Sequence, residues 1–133
     1  MQRDLLEFVI DTLASCLPGV CVAEQLPPLD RLDAELPVLR VDELPGSATV
    51  TAWGGTPVPL LDSSAFELEV FAPSLAVAKP VAERAAEVMF TLSTVADSPV
   101  TQVKCPSSFA ARPDFNPRVR VLGAEFTLDA HTM

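Results

Sequence analysis

Phe66-Glu67-Leu68-Glu69-Val70-Phe71-Ala72-Pro73-Ser74 and the run from Leu75 to Leu92, LAVAKPVAERAAEVMFTL, join a period-two pattern directly to a helical one. Phe66, Leu68 and Val70 fall on one side of an extended segment and Glu67 and Glu69 on the other, as a half-buried strand requires. Pro73 and Ser74 break that alternation. Beyond them Ala78, Val81, Ala85, Val88, Met89 and Leu92 recur at helical spacing, with Lys79, Glu83, Arg84 and Glu87 opposite. A strand followed by a helix packed back over its sheet is the expectation. Pro80 lies inside the helical pattern and leaves open whether it starts or kinks the helix.

Working outward, Leu6, Val9, Ile10, Leu13 and Leu17 form a second helical stripe over 4–17, with Asp4 and Glu7 at the end where the helix dipole favours acids. Pro18 and Gly19 stop it. Val20 to Ala23 suits a short strand, and Leu26-Pro27-Pro28-Leu29 opens a stretch to Glu35 expected as an extended loop. Val38 to Glu43 alternates, then Pro45-Gly46 signals a turn. Thr49 to Trp53 is rich in strand formers, and Val58 to Leu61 is a candidate edge segment. Val100 to Lys104 reads as a strand, and Pro106 to Pro117, holding three prolines, as a long loop. The last strand starts near Arg118. Its apolar positions shift from odd (Val119, Val121) to even (Ala124, Phe126, Leu128, Ala130), which either a bulge at Gly123 or burial on both faces would explain.

The order helix, strands, helix, strands predicts an α+β fold, a mainly antiparallel sheet of four to five strands with two helices packed on one face. Its 133 residues suit one domain over 1–133, and roughly two thirds of the unfolded surface is buried in domains of this size. Eighteen acids against nine bases give a formal charge of -9, which opposes attraction to nucleic-acid phosphates and anionic lipid. Three cysteines, Cys16, Cys21 and Cys105, are an odd number and fit neither a disulfide framework nor zinc spacing, so they read as small buried apolar groups. Leu44 to Leu61 lacks charge, but its prolines and glycines do not suit a spanning helix, and a soluble protein is expected.

Catalytic chemistry is not signalled. His131, the one histidine, is the third residue from the end and reads as a solvated tail histidine, so no rigid Ser-His or Cys-His pair is expected. Trp53-Gly54-Gly55-Thr56 lacks both nucleotide-binding fingerprints and reads as a turn. Glu67 and Glu69 share a strand face; without convergent polar groups around them they read as a solvated face or, with Trp53, as a surface offered to a partner. Arg112, Arg118 and Arg120 gather around Asp114, Phe115 and Asn116, three of nine bases in an acidic chain. Two readings stand: a subunit interface with Phe115 as apolar anchor, or arginines paired within their own subunit.

Taken in order, Leu17-Pro18-Gly19-Val20, Leu36-Pro37-Val38-Leu39-Arg40-Val41, Gly54-Gly55, the strand-to-helix run from Val70-Phe71-Ala72 to Leu92, and Pro113-Asp114-Phe115-Asn116-Pro117-Arg118-Val119 before a last strand resemble the tail terminator proteins of long-tailed bacteriophages. The resemblance spans most of the chain and rests on the order of its motifs. It implies a virion tail component assembled in the host cytoplasm, without catalysis or cofactor. Such a protein is a homo-oligomer, a hexameric ring that caps the tail tube protein, stops polymerisation and offers a docking surface to the head-tail connector. Another neck component, a tube subunit, and a small-ligand module or enzyme are the alternatives.

Overall fold

The computed structural model describes residues 4–44, 48–51, 59–113 and 117–131, without the side chains of 29, 30, 48–51, 59–62 and 131. Helices α1 (Leu5–Cys16), α2 (Leu29–Glu35) and α3 (Leu75–Phe90) accompany strands β1 (Cys21–Ala23), β2 (Val38–Glu43), β3 (Ala48–Thr51), β4 (Pro59–Ala72), β5 (Val100–Arg112) and β6 (Arg120–His131). The strands form one sheet in the order β1-β2-β4-β6-β5, with β3 pairing β4 off that path. Among the described residues only the β1–β2 pair is parallel; the other pairs are antiparallel. The α+β class and the mainly antiparallel sheet expected from the pattern are therefore present, with β3 bringing the strands to six.

β4 is the axis of the sheet. Its register against β6 runs unbroken from Leu61↔His131 to Ala72↔Arg120, and β2 pairs its other side from Phe66 to Phe71. Phe66, Leu68, Val70 and Ala72 join Leu39, Val41, Ala124, Phe126 and Leu128 in the main core beneath α1 and α3. The alternate residues face the other way, where Val38, Phe71, Val119 and Val121 make a smaller cluster closed by Leu32 of α2. Thus no bulge is needed at Gly123. The switch from odd to even apolar positions marks a strand buried on both faces, first under α2 and then under α3.

Three local expectations are corrected. The stretch before Glu35 is helical because Pro28, at its N-cap, sets the backbone before the first turn and Leu32 finds an apolar pocket to fill. Val58 to Leu61 is no separate edge piece: from Pro59 onward it is the start of the 14-residue β4. Most of the loop expected from Pro106 onward is strand, since β5 continues to Arg112. β5 lies at the sheet edge, where a proline without an N–H is tolerated, and its pairing with β6 slips between Lys104 and Ser107 and again before Ala110.

Helix α3 starts at Leu75, so Pro80 lies within it rather than at its start. Ser74 caps it: Val77 N–H donates to the Ser74 hydroxyl at 3.3 Å. Ala78, Ala82, Ala85, Val88 and Met89 form its buried stripe, with Val81 half-buried beside it. In α1, capped by Asp4, the buried line is Phe8, Val9, Leu13 and Leu17, which brings Phe8 into the core and leaves Leu6 half-buried.

Leu68 is fully buried at the centre of β4. Leu68→Ala is expected to destabilise the fold by about 2–5 kcal/mol, and urea unfolding followed by circular dichroism checks it.

Candidate functional site

The sheet face opposite α1 and α3 carries a ladder of charged side chains that the strand registers assemble. Arg40, Glu69 and Gly123 lie side by side across β2, β4 and β6, and Asp42, Glu67 and Glu125 form the next row. Arg40 donates to Glu69 at 2.7 Å and to Asp42 at 3.3 Å. Arg112 reaches in from the end of β5 to Glu67 at 2.9 Å and Glu69 at 3.5 Å. Glu69, with its side chain 16% exposed, is held between two guanidinium groups. The like charges of Glu67 and Glu125, paired across β4 and β6, would repel; Arg112 beside Glu67 offsets that.

Gly123 makes this reach possible. A Cβ built there would run into the Nε, Cζ and Cδ atoms of Arg112, so the guanidinium crosses the sheet directly over the glycine backbone. The requirement is one of space, which explains a glycine in the middle of a paired strand.

Of the residues singled out in the sequence, Arg112, Glu67 and Glu69 are thus brought together, although they come from β5 and β4. Arg118 pairs with Asp33 of α2 at 3.4 Å on an exposed surface, and Arg120 is exposed at the start of β6. Asp114, Phe115, Asn116 and Trp53 lie outside the described residues. Arg40 and Asp42 were visible as an alternating pair, but no sequence signal tied them to Glu69, because the partner strand of β2 is fixed only by folding.

A second feature borders the ladder's far side. Between α3 and β5 an open groove of about 620 Å³ is lined by Leu75, Ala82, Ala86, Phe109, Ala111 and Leu122, with Lys79 and Glu83 among its polar lining. Leu26, Leu75, Val77 and Phe90 are the exposed large apolar side chains among the described residues, and three of these four belong to α3. Phe90 and Phe109 each pack against Phe126, at centroid distances of 5.7 and 6.2 Å. Sequence periodicity hid this groove, since Leu75 and Ala86 sit off the stripe that faces the core.

Among the described residues, no group of three or more His, Cys, Asp or Glu side chains is arranged to hold a metal ion, and no helix is long and apolar enough to cross a membrane. The three thiols are free and half-buried, and desolvation pushes the Cys105 thiol up, against the reactivity of a nucleophile. At the edge of the helix-covered face, burial and the nearby Asp4 charge push the Glu43 carboxyl up, opposed by a hydrogen bond with Ser64.

No protein-family model matches the chain, and no curated protein sequence does. Among solved structures the fold is similar to a chain in the virion of a native gene transfer agent (GTA) particle, with a TM-score of 0.57 over 93% of this chain and 84% of that one. At 15% sequence identity this is a likeness of fold.

Two predictions follow from the electrostatics. Gly123→Ala should expel the Arg112 guanidinium from its carboxylates, and the loss should vanish in an Arg112→Ala background; a double-mutant cycle by urea unfolding is expected to give a coupling of about 0.5–3 kcal/mol. For Glu43, a folded pKa above the unfolded one favours folding most below the unfolded value, and this gain is lost as pH rises through the folded value. Ionised Glu43 therefore opposes the fold at neutral pH. Glu43→Gln should raise the melting temperature near about pH 7 and leave it unchanged near about pH 3, where the carboxyl is protonated in either state.

Proposed function

We infer that this chain is a structural virion protein of a phage-like particle, and more specifically a tail terminator: a subunit of a ring that caps the tail tube, ends its polymerisation and receives the head-side connector. The observation that carries the reading is the fold shared, along 93% of the chain, with a chain of a virion. The ordered motifs from Leu17-Pro18-Gly19-Val20 to Pro113-Asp114-Phe115-Asn116-Pro117 supply the tail-terminator part.

The chemistry of the surface agrees with an assembly role. The ladder neutralises its own arginines, so the open face offers Asp42, Glu67, Glu69 and Glu125 as a net acidic surface that suits selective protein contacts and opposes gripping nucleic acid. In this reading Glu67, Glu69 and Trp53 belong to a surface met by the tube or the connector. Asp114, Phe115, Asn116, Arg118 and Arg120 contribute to contacts between subunits, and Arg112 holds the start of that segment to the sheet. A closed ring with unlike faces mates with a like-symmetric tube on one side and presents a new surface on the other.

The test polymerises tube subunits with and without this protein and measures tube lengths by electron microscopy. Shorter tubes with a single capped end are expected. Lengths that ignore the protein point to another neck component, and tubes built from it alone point to a tube subunit.

A further inference from the structure

The two edges of the sheet carry complementary features at one level. β1 and β5 are its outer strands, and pairing runs across it in a single row through Ala23, Arg40, Glu69, Gly123 and Ala110. At the β5 end of that row the groove against α3 is open, with Phe109, Ala82, Ala86 and Leu122 in its apolar lining and the exposed Lys79 beside them. A groove that joins an aromatic ring to small side chains suits an apolar ridge, and one poor in main-chain donors leaves nothing unsatisfied there.

At the β1 end, three residues beyond Ala23, begins Leu26-Pro27-Pro28. This is the one Pro-Pro pair of the chain, neither proline carries an N–H, and Pro28 at φ -54° and ψ 148° has polyproline-type geometry. Of the exposed large apolar side chains among the described residues, Leu26 is the one outside α3. Glu24 before it lines a shallow depression with Leu6 and Ile10 of α1, which puts this end of the segment on the helix side, where the groove also opens. The groove of the same subunit is out of reach: four strand spacings of about 4.8 Å hold the β1 and β5 ends roughly 19 Å apart, against the ~10 Å that three extended residues span. A second copy beside the β5 edge has no such restriction.

We propose that the Leu26-Pro27-Pro28 ridge of one subunit seats in the α3–β5 groove of the next, and that this is the head-to-tail contact between copies. Leu26 and the proline rings pack on Phe109 and the alanines, and the pre-set proline backbone lowers the ordering cost of the contact. Charge complementarity fixes the direction. Glu24 shares its depression with Asp4 and Glu7, so the ridge brings an acidic rim to the exposed Lys79, while Arg31, exposed just past the proline pair, is the base it brings to Glu83. Because ridge and groove stand at opposite ends of one row, each subunit uses one and offers the other, and the contact propagates until it closes. The inference deepens the ring reading and rests on it; it adds which surfaces meet.

The experiment follows self-association of the full chain by native mass measurement over a concentration series. Leu26→Asp carries a charge into the apolar groove and should weaken association at least about tenfold, while the melting temperature stays unchanged because the position is exposed. Glu24→Lys and Lys79→Glu should each weaken it roughly threefold, and the two combined in one chain, which restores opposite charges across every contact, should recover it. Independently, in a chain with Cys16→Ser, Cys21→Ser and Cys105→Ser, Leu26→Cys and Ala111→Cys are introduced in separate preparations, mixed as monomers and oxidised after assembly. Disulfide-linked dimers are expected from the mixture and not from either preparation alone. Association that ignores Leu26→Asp, a double charge variant no better than the single ones, or rings that form without the 26–111 crosslink overturn the ridge-in-groove contact and leave the ring reading standing. A chain that stays monomeric at every concentration overturns both.

Discussion

The strict alternation of β4 between two pairing strands governs the rest of the molecule. From Phe66 to Phe71 it is hydrogen-bonded to β2 on one side and β6 on the other, so its register fixes which residues of both neighbours face α1 and α3. A slip of one residue would send Glu67 and Glu69 into the core and Phe66, Leu68 and Val70 onto the open face. Burial of three apolar side chains, each stabilising by about 1.5–3 kcal/mol, makes that slip prohibitive. The main core and the charged ladder are two sides of one constraint.

The ladder occupies an intermediate regime. Side chains between 16% and 31% exposed, as for Arg40, Glu67, Glu69 and Arg112, are drier than ordinary surface pairs, which contribute little, yet keep enough water to avoid the desolvation cost of a buried pair. Its chief structural effect is positional. Arg112 lies at the end of an edge strand, and its ion pairs across Gly123 tie that end to β4. Pro113, the residue after Arg112, therefore leaves the sheet from an anchored point.

The fold and the surface also divide the work of recognition. The helix-covered face closes the main core, with Leu75, Val77 and Phe90 of α3 remaining exposed, while the opposite face divides into an apolar cluster under α2 and the charged ladder beyond it. The described surface thus carries apolar groups along α3 and a net acidic set of side chains around the ladder.

By itself the amino-acid sequence determined the elements whose signals are local: the helical stripe before Pro18-Gly19, the period-two run in β4, the helical stripe after it, and the absence of nucleotide or metal spacing. It also showed that Glu67 and Glu69 share a face, because alternation along one strand is a local property. Only tertiary structure decided the rest. α2 and the second half of β5 contradict their proline-rich composition, since Leu32 has a pocket to fill and an edge strand tolerates Pro106. The phase shift at Gly123 looked the same for a bulge and for burial on two faces until α2 was seen to cover Val119 and Val121. Arg40, Glu69 and Arg112 meet because three strands distant in sequence pair in one register, and the choice of partner strand depends on long-range burial that no local pattern encodes.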